Sequence, residues 1–465
     1  MDNTAKKLPM SVKWLFASGD FAKTLLVVMT AAFSLFFYTD VLGMDSKIVA
    51  TIILIAKIWD FINDPMMGAL VDRTKSKEGK CRMWLKYMSV PGGVILALNF
   101  IMPELAATGK IIWVAVTYTL QGMASTTLMI PQNTLMSRLT ADPVERAAIN
   151  SYRGYFGMAA NLVASSFAIP FVMMAGNGDM RKGFAILGIV CGVLYAVNYL
   201  IVYWCTKGYE PEESPESAAA SPVPEVKEKV KLTEVLSNWP WLIVLLAYFC
   251  TMVAASVVSS TGVYYAQYNL GDINIYSIMS FVGIAASLAV YPILSKLVAK
   301  FGNAKLVAFG GAVAAVAYLL RFLTHDANII VMYILYFFGG FGQVLVSAVV
   351  MLVVYDSYIY MRHKTGKPAP EALLVSGFSV SYKVGMAIAT PIAGWLLGSV
   401  PYVAGAATQE QSVLNLFFYE NTLLPAAFLI SALLGLLLVK FDKQIQSFKA
   451  LDAAAAQNHN VEEDN

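Results

Sequence analysis

The stretch IVATIILIAKIWDFINDPMMGALVDRTKSKEGKCRMWLK, residues 48–86, decides what kind of chain this is. It opens as an apolar run long enough to cross a hydrocarbon core of about 30 Å, which takes about 20 residues of helix. It then breaks into RTKSKEGK, a basic polar loop, before apolar residues resume. The run also holds Lys57, Asp60 and Asp64, although a charge at the centre of a membrane helix costs at least ~2.5–3.5 kcal/mol on insertion scales. Composition extends this reading to the whole chain. Of 465 residues, 58% are hydrophobic and 14% charged, and the mean hydropathy is +0.62; soluble domains have about 45–50% and about 25%. So few charges could not cover a soluble surface. The 25 Phe and 24 Tyr exclude a disordered chain. A net charge of +3 implies no nucleic-acid partner.

Long unbroken apolar runs, rather than short alternating segments, predict an all-α membrane protein. Reading for such runs gives about twelve transmembrane helices: 12–41, 48–70, 84–103, 111–137, 147–175, 184–206, 239–268, 274–299, 305–323, 328–360, 372–400 and 416–440. The first, fifth and tenth exceed the bilayer thickness and should tilt or kink. Residues 207–238, rich in Pro, Ser, Ala and Glu, read as a cytoplasmic linker ending in a short amphipathic helix. The organisation is therefore two six-helix bundles, 1–206 and 239–441, joined by that linker and followed by a tail, 442–465. Lys and Arg crowd the loops on one side, which places both termini in the cytoplasm and the multi-pass chain in the cell inner (plasma) membrane. RTKSKEGK after the second run and SKLVAKFGNAK after the eighth suggest an internal duplication. The N-terminus, MDNTAKKLPMSVKW, lacks a signal peptide's apolar core, so the first span should serve as the insertion signal.

Charges inside the spans point to an aqueous cavity. Asp60 and Asp64 lie one helical turn apart, on one face of the second span. Two desolvated carboxylates repel, so the pair wants a bound cation or a proton. Oxygen ligands suit a hard ion; Asn63 and a nearby hydroxyl could complete the shell, and Pro65 frees a carbonyl one turn back. The competing reading is a structural pair satisfied by Lys57, which stands three residues before Asp60 but is poorly placed for Asp64. Asp20 and Lys23 in the first span, Arg153 in the fifth and Lys383 in the eleventh offer donors and acceptors beside aromatic faces. Such a set suits a substrate with many hydroxyls. His325, His363 and His459 all lie outside the spans, no metal or nucleophile constellation appears, and an enzyme is not expected.

IWDFINDPMMGALVDRTKSKEGKCRMWL resembles the signature of the glycoside–pentoside–hexuronide cation symporters, the melibiose permease-like family of the major facilitator superfamily. The stretches Gly19-Asp20-Phe21, Tyr38 to Gly43, HKTGKP at 363–368 and Tyr382-Lys383 with Gly385 carry the resemblance along the chain. It implies the major facilitator fold and alternating access. The function it implies is secondary active import of a sugar or sugar derivative (glycoside, pentoside or hexuronide) coupled to Na⁺ or H⁺. No cofactor is implied beyond the co-transported ion. The partners expected are the sugar, the monovalent cation and membrane lipid, with the chain a monomer. By position, Asp60, Asn63, Asp64 and Thr126 would bind the cation. Asp20, Lys23, Asn133, Arg153 and Lys383 would serve the substrate, and Lys57, Asp72, Arg73 and Asp356 coupling or gating. The loop from Arg73 to Lys86 would act as a cytoplasmic latch reaching Asp72.

The chain departs from the family where galactoside-transporting members carry an Asp, here Met129, and an aromatic, here Asn133. The family's further acidic residues of the tenth span align with Ile359 and Arg362. Losing the carboxylate at 129 would leave Arg153 and Lys383 less compensated, which favours an acidic sugar such as a uronide. The alternatives are a lysolipid or drug carrier on the same scaffold, against which Arg153 and Lys383 argue, and a non-coupled channel, which needs no Asp pair.

Overall fold

A computed structural model describes residues 8–140, 143–210, 237–366 and 371–463. The expected linker helix falls within 211–236, outside the described residues. Each of the twelve apolar runs is met by helix, and no strand occurs among the described residues. In chain order the helices are α1 (Met10–Ala17), α2 (Gly19–Phe36), α3 (Ser46–Arg73), α4 (Lys80–Asn99), α5 (Ala107–Leu139), α6 (Pro143–Ala175) and α7 (Met180–Cys205). Then follow α8 (Trp239–Tyr264), α9 (Asn274–Phe301), α10 (Asn303–Thr324), α11 (Ile329–Thr365), α12 (Glu371–Leu397), α13 (Gln411–Asn421) and α14 (Phe428–Glu463). Among the described residues, nine segments are long and apolar enough to cross a membrane. The spans that miss that mark are α3, α4 and α5, and α3 is the helix carrying Lys57, Asp60 and Asp64.

The ends of these helices follow from local chemistry. Asp45 caps α3, accepting from the backbone N–H groups of Lys47 and Ile48, and Asn328 does the same for α11 at Ile330 and Val331. The first run bends, as its length implies: α1 stops at Ser18, α2 restarts at Gly19, and the helix widens into a π turn at Phe37–Val41. The tenth is one continuous helix, α11, of 37 residues. Conversely, the twelfth run is discontinuous, since α13 ends at Asn421 and α14 begins only after a 3-10 turn, Pro425–Ala427.

The chain forms two compact units, one built from Met1–Val223, Ala266–Ser280 and Thr390–Leu414, the other from Pro224–Tyr265, Phe281–Ala389 and Asn415–Asn465. In the first unit α4 packs on α7 through facing glycines: a Cβ on Gly93 would stand 2.3 Å from the Gly192 carbonyl oxygen, and the reverse distance is also 2.3 Å. Also in this unit, Asp40 in the π turn accepts hydrogen bonds from the hydroxyls of Tyr268 and Tyr402. In the second unit α10 packs on α11 through Gly310 and Gly342, where a Cβ on each would stand 2.8 and 2.3 Å from the other's carbonyl oxygen, and a core of Val346, Val349, Val350 and Val353 fills the interior.

The two basic loops share one device. Gly79 (φ 92°) precedes α4 and Gly302 (φ 82°) precedes α10, a backbone conformation that favours glycine. In the first unit the Glu210 carboxylate closes the start of α4, accepting from Cys81 N at 3.0 Å and Arg82 N at 3.1 Å. In the second, Asp442 accepts from Ala304 N at 3.1 Å at the start of α10. Negative charge at a helix N-terminus is favourable twice over, through orphan N–H groups and through the helix dipole. Each loop thus meets its glycine and its carboxylate at matching places, the pattern of a duplicated design.

Candidate functional site

One of the two carboxylates singled out on the second span meets a hydroxyl of the fourth. α3 packs on α5, and the Thr126 hydroxyl of α5 donates to Asp64 Oδ1 at 3.0 Å. Asn63 and Thr126 are buried, while Asp60 and Asp64 are partly exposed. Asp60 lies hard against α5 where that helix has no side chain: a Cβ on Gly122 would come within 1.9 Å of Asp60 Oδ1. The other carboxylate oxygen, Oδ2, stands 3.5 Å from Lys57 Nζ. The ammonium also sits 5.8 Å above the Tyr118 ring centroid. Both readings of the carboxylate pair therefore have a basis, one on each residue. Lys57 serves Asp60, and Asp64 has its hydroxyl from Thr126. Of the four residues expected to bind a cation, Asp64 and Thr126 are in contact, while Asp60 meets Lys57 and the Gly122 position of α5, and Asn63 is buried on α3.

A second constellation in the same unit ties α2, α5 and α6 together. Arg153 grips Asp20 with its fork, Nε on Oδ2 and Nη2 on Oδ1 at 3.2 Å, and Nη2 also donates to Asn133 Oδ1 at 2.7 Å. Lys23 Nζ is 4.0 Å from Asp20 Oδ1. Bidentate pairing of this kind fixes direction as well as charge. Sequence reasoning took Arg153 to be short of compensation once Met129 replaced a carboxylate. The correction is geometric, because Asp20, 133 residues away in the chain, occupies the guanidinium.

One member of this cluster was missed from the sequence. Gln132 is wholly buried and donates from Nε2 to Asp20 Oδ2 at 3.2 Å and to the Phe16 carbonyl at 3.4 Å. It reaches them because residue 19 is glycine; a Cβ there would stand 2.5 Å from Gln132 Nε2. The available signal was two adjacent amides, Gln132 and Asn133, directly after Pro131 in an apolar run.

The remaining residues lie elsewhere. Lys383 is exposed on α12 in the second unit. Asp356 is buried there and accepts from Asn303 Nδ2 at 2.6 Å at the start of α10. Asp72 is 74% exposed and meets Lys80 at 3.4 Å across the loop, while Arg73 is exposed. Just past that loop, Arg82 in the first turn of α4 donates to the Tyr203 carbonyl at 3.1 Å.

Residues 15–443 match the model of the family described as MFS/sugar transport protein. The chain is 28% identical over 440 residues to the isoprimeverose transporter of Lactiplantibacillus pentosus, covering 94% of this chain and 90% of that one. It is 27% identical over 430 residues to an inner membrane symporter of Escherichia coli, covering 90% and 89%. Among solved structures, a bacterial homolog of the human lysosomal transporter Spinster, in an inward-facing and unoccupied conformation, superposes with a TM-score of 0.67 at 11% identity, covering 94% of this chain and 97% of that one. This likeness shows the major facilitator fold.

Proposed function

This chain belongs to the MFS/sugar transport protein family, and we propose that it is a cation-coupled importer of a neutral glycoside working by alternating access. That it is a multi-pass secondary transporter for sugars, and not an enzyme, follows from the family. What supports cation coupling is the grouping of Asp60, Asn63 and Asp64 within about one turn of α3, with Asp64 in contact with Thr126 of the packed helix α5. That gathering sits in the same compact unit as the Asp20–Arg153 constellation.

Asp60 and Asp64 take the cation, Na⁺ or a proton, with Asn63 and Thr126 as neutral ligands. Asp20, Asn133 and Arg153 meet the sugar. Because Arg153 already holds Asp20, its spare hydrogen-bonding capacity favours hydroxyls over a second carboxylate, so a neutral glycoside is favoured over the uronide that sequence reasoning suggested. Asp72, Arg73 and Asp356 serve gating. The chain works in the inner membrane with both termini cytoplasmic.

Whole-cell uptake of labelled glycosides, with and without Na⁺ and at two external pH values, tests this reading. Cation-driven accumulation should vanish in both Asp60→Asn and Asp64→Asn while substrate exchange persists. Cation-dependent uptake that is intact in both variants sinks the coupling assignment. A glucuronide that outcompetes its neutral glucoside counterpart sinks the substrate assignment.

A further inference from the structure

The break in the twelfth span carries a group that neither constellation uses. Glu420 is the penultimate residue of α13, just before the chain leaves helical geometry. It is 2% exposed, and among the described residues neither Oε1 nor Oε2 has a hydrogen-bond partner. Its neighbour Asn421 is wholly buried too, with its amide nitrogen on Thr261 Oγ1 at 3.1 Å and its Oδ1 likewise unbonded.

The arginine in contact with this end of α13 is already paired. Arg321 of α10 is 0% exposed and donates from Nη1 to the Asn421 carbonyl at 3.1 Å. Its fork closes on Asp326, Nη2 to Oδ2 at 2.6 Å and Nε to Oδ1 at 3.2 Å, and the Tyr265 hydroxyl donates to the same carboxylate at 2.5 Å. The rings of Tyr265, Tyr318 and Tyr336 enclose the guanidinium. Among the described residues, the other titratable groups in ring contact here are Tyr264, stacked on Phe417, His325, stacked on Phe418, and Tyr419 of α13 itself, packed against Phe322. One cation matched by one carboxylate leaves Glu420, among the described residues, as an acid without a basic partner in a buried setting. A bare carboxylate there costs several kcal/mol, and such groups neutralise instead.

We propose that Glu420 is a proton-binding site of this transporter, separate from the Asp60–Asp64 cluster, and that the proton it holds keeps the joint between α13 and α14 uncharged. Releasing that proton places a negative charge at the C-terminal end of α13, the negative pole of its dipole. Discontinuous helices are where membrane transporters build ion sites, because irregular backbone at that depth is tolerated only in a protein-lined setting.

Infrared spectroscopy on the full chain reconstituted in lipid vesicles tests this without any substrate, so its result is independent of the sugar and coupling assignments. At neutral pH the unmodified protein should show a carboxylic-acid carbonyl band that shifts in heavy water. Glu420→Gln should lose intensity worth one carboxyl per chain, and Glu420→Asp, which keeps the acid, should retain a band at a shifted position. Glu420→Gln copies the neutral form in shape and should stay folded, as the unchanged amide bands of the same spectra would show. Identical carboxylic-acid regions in the unmodified protein and Glu420→Gln overturn the proposal.

Discussion

Replacing Lys57 by Gln should make the protein respond to less cation. Lys57 Nζ stands 3.5 Å from Asp60 Oδ2, in the position a bound ion would contest. Two unit charges at that distance attract by about 5 kcal/mol at an effective dielectric of 20. The lysine side chain is 36% exposed and that of Asp60 23%, so water screens most of this, and exposed pairs are worth 1 kcal/mol at the upper end. Taking about 1 kcal/mol as the cost of displacing the ammonium, its removal lowers the half-saturating cation concentration about fivefold, since about 1.4 kcal/mol is tenfold. The assay is initial-rate sugar uptake against Na⁺ concentration in vesicles, at fixed sugar. Lys57→Arg, which keeps the charge, should stay near the unmodified value. A half-saturating concentration that rises in Lys57→Gln refutes the reasoning, because it would mean that the lysine positions Asp60 rather than standing in for the ion.

Gly122→Ala puts a methyl 1.9 Å from Asp60 Oδ1, so it should cut cation-dependent uptake at least tenfold while surface expression stays normal, measured by uptake against immunoblot. Arg153→Lys keeps the charge but loses the two-pronged grip on Asp20; substrate affinity should fall by at least tenfold in a direct binding titration, and a near-normal affinity would remove Arg153 from the site. Outside the spans, the hydrogen bond from Lys13 holds the Glu145 carboxyl below its ordinary range. A depressed carboxyl contributes stability above its unfolded value, about 4.3, and loses it as pH falls through the folded value. The N-terminal helix should therefore loosen only in acid, followed by tryptophan fluorescence at Trp14, and Lys13→Gln should move that transition toward neutral pH.

The helices were readable because a membrane span is a local property: about 20 apolar residues announce themselves whatever they pack against. Asp60, Asn63 and Asp64 were readable for the same reason, since one helical turn is fixed by covalent geometry. Arg153 stood out as a charge, but its pairing with Asp20 is a tertiary fact that no spacing carries. Gln132 escaped because a neutral amide does not interrupt an apolar run, and its role depends on the missing side chain at Gly19. The break in the twelfth span escaped similarly. Pro425 sits among leucines and alanines, so hydropathy stayed high while the helix was lost. Counting charges by span, as the uronide expectation does, leaves out which acid reaches which base, and Arg153 meets Asp20.

The carboxylates that close α4 and α10 set limits on how this protein can be dissected. The apolar run of α7 ends near residue 206, an inviting place to divide the gene for co-expression of two fragments. Glu210 lies just beyond it, and a fragment ending at 206 would leave the start of α4 without its acceptor. Losing such an acceptor costs about 0.5–2 kcal/mol. A fragment carried through residue 210 keeps it. At the other terminus, shortening the chain is harmless to α10 only while Asp442 remains, so purification tags and fusion partners belong after that residue, on the polar stretch that follows.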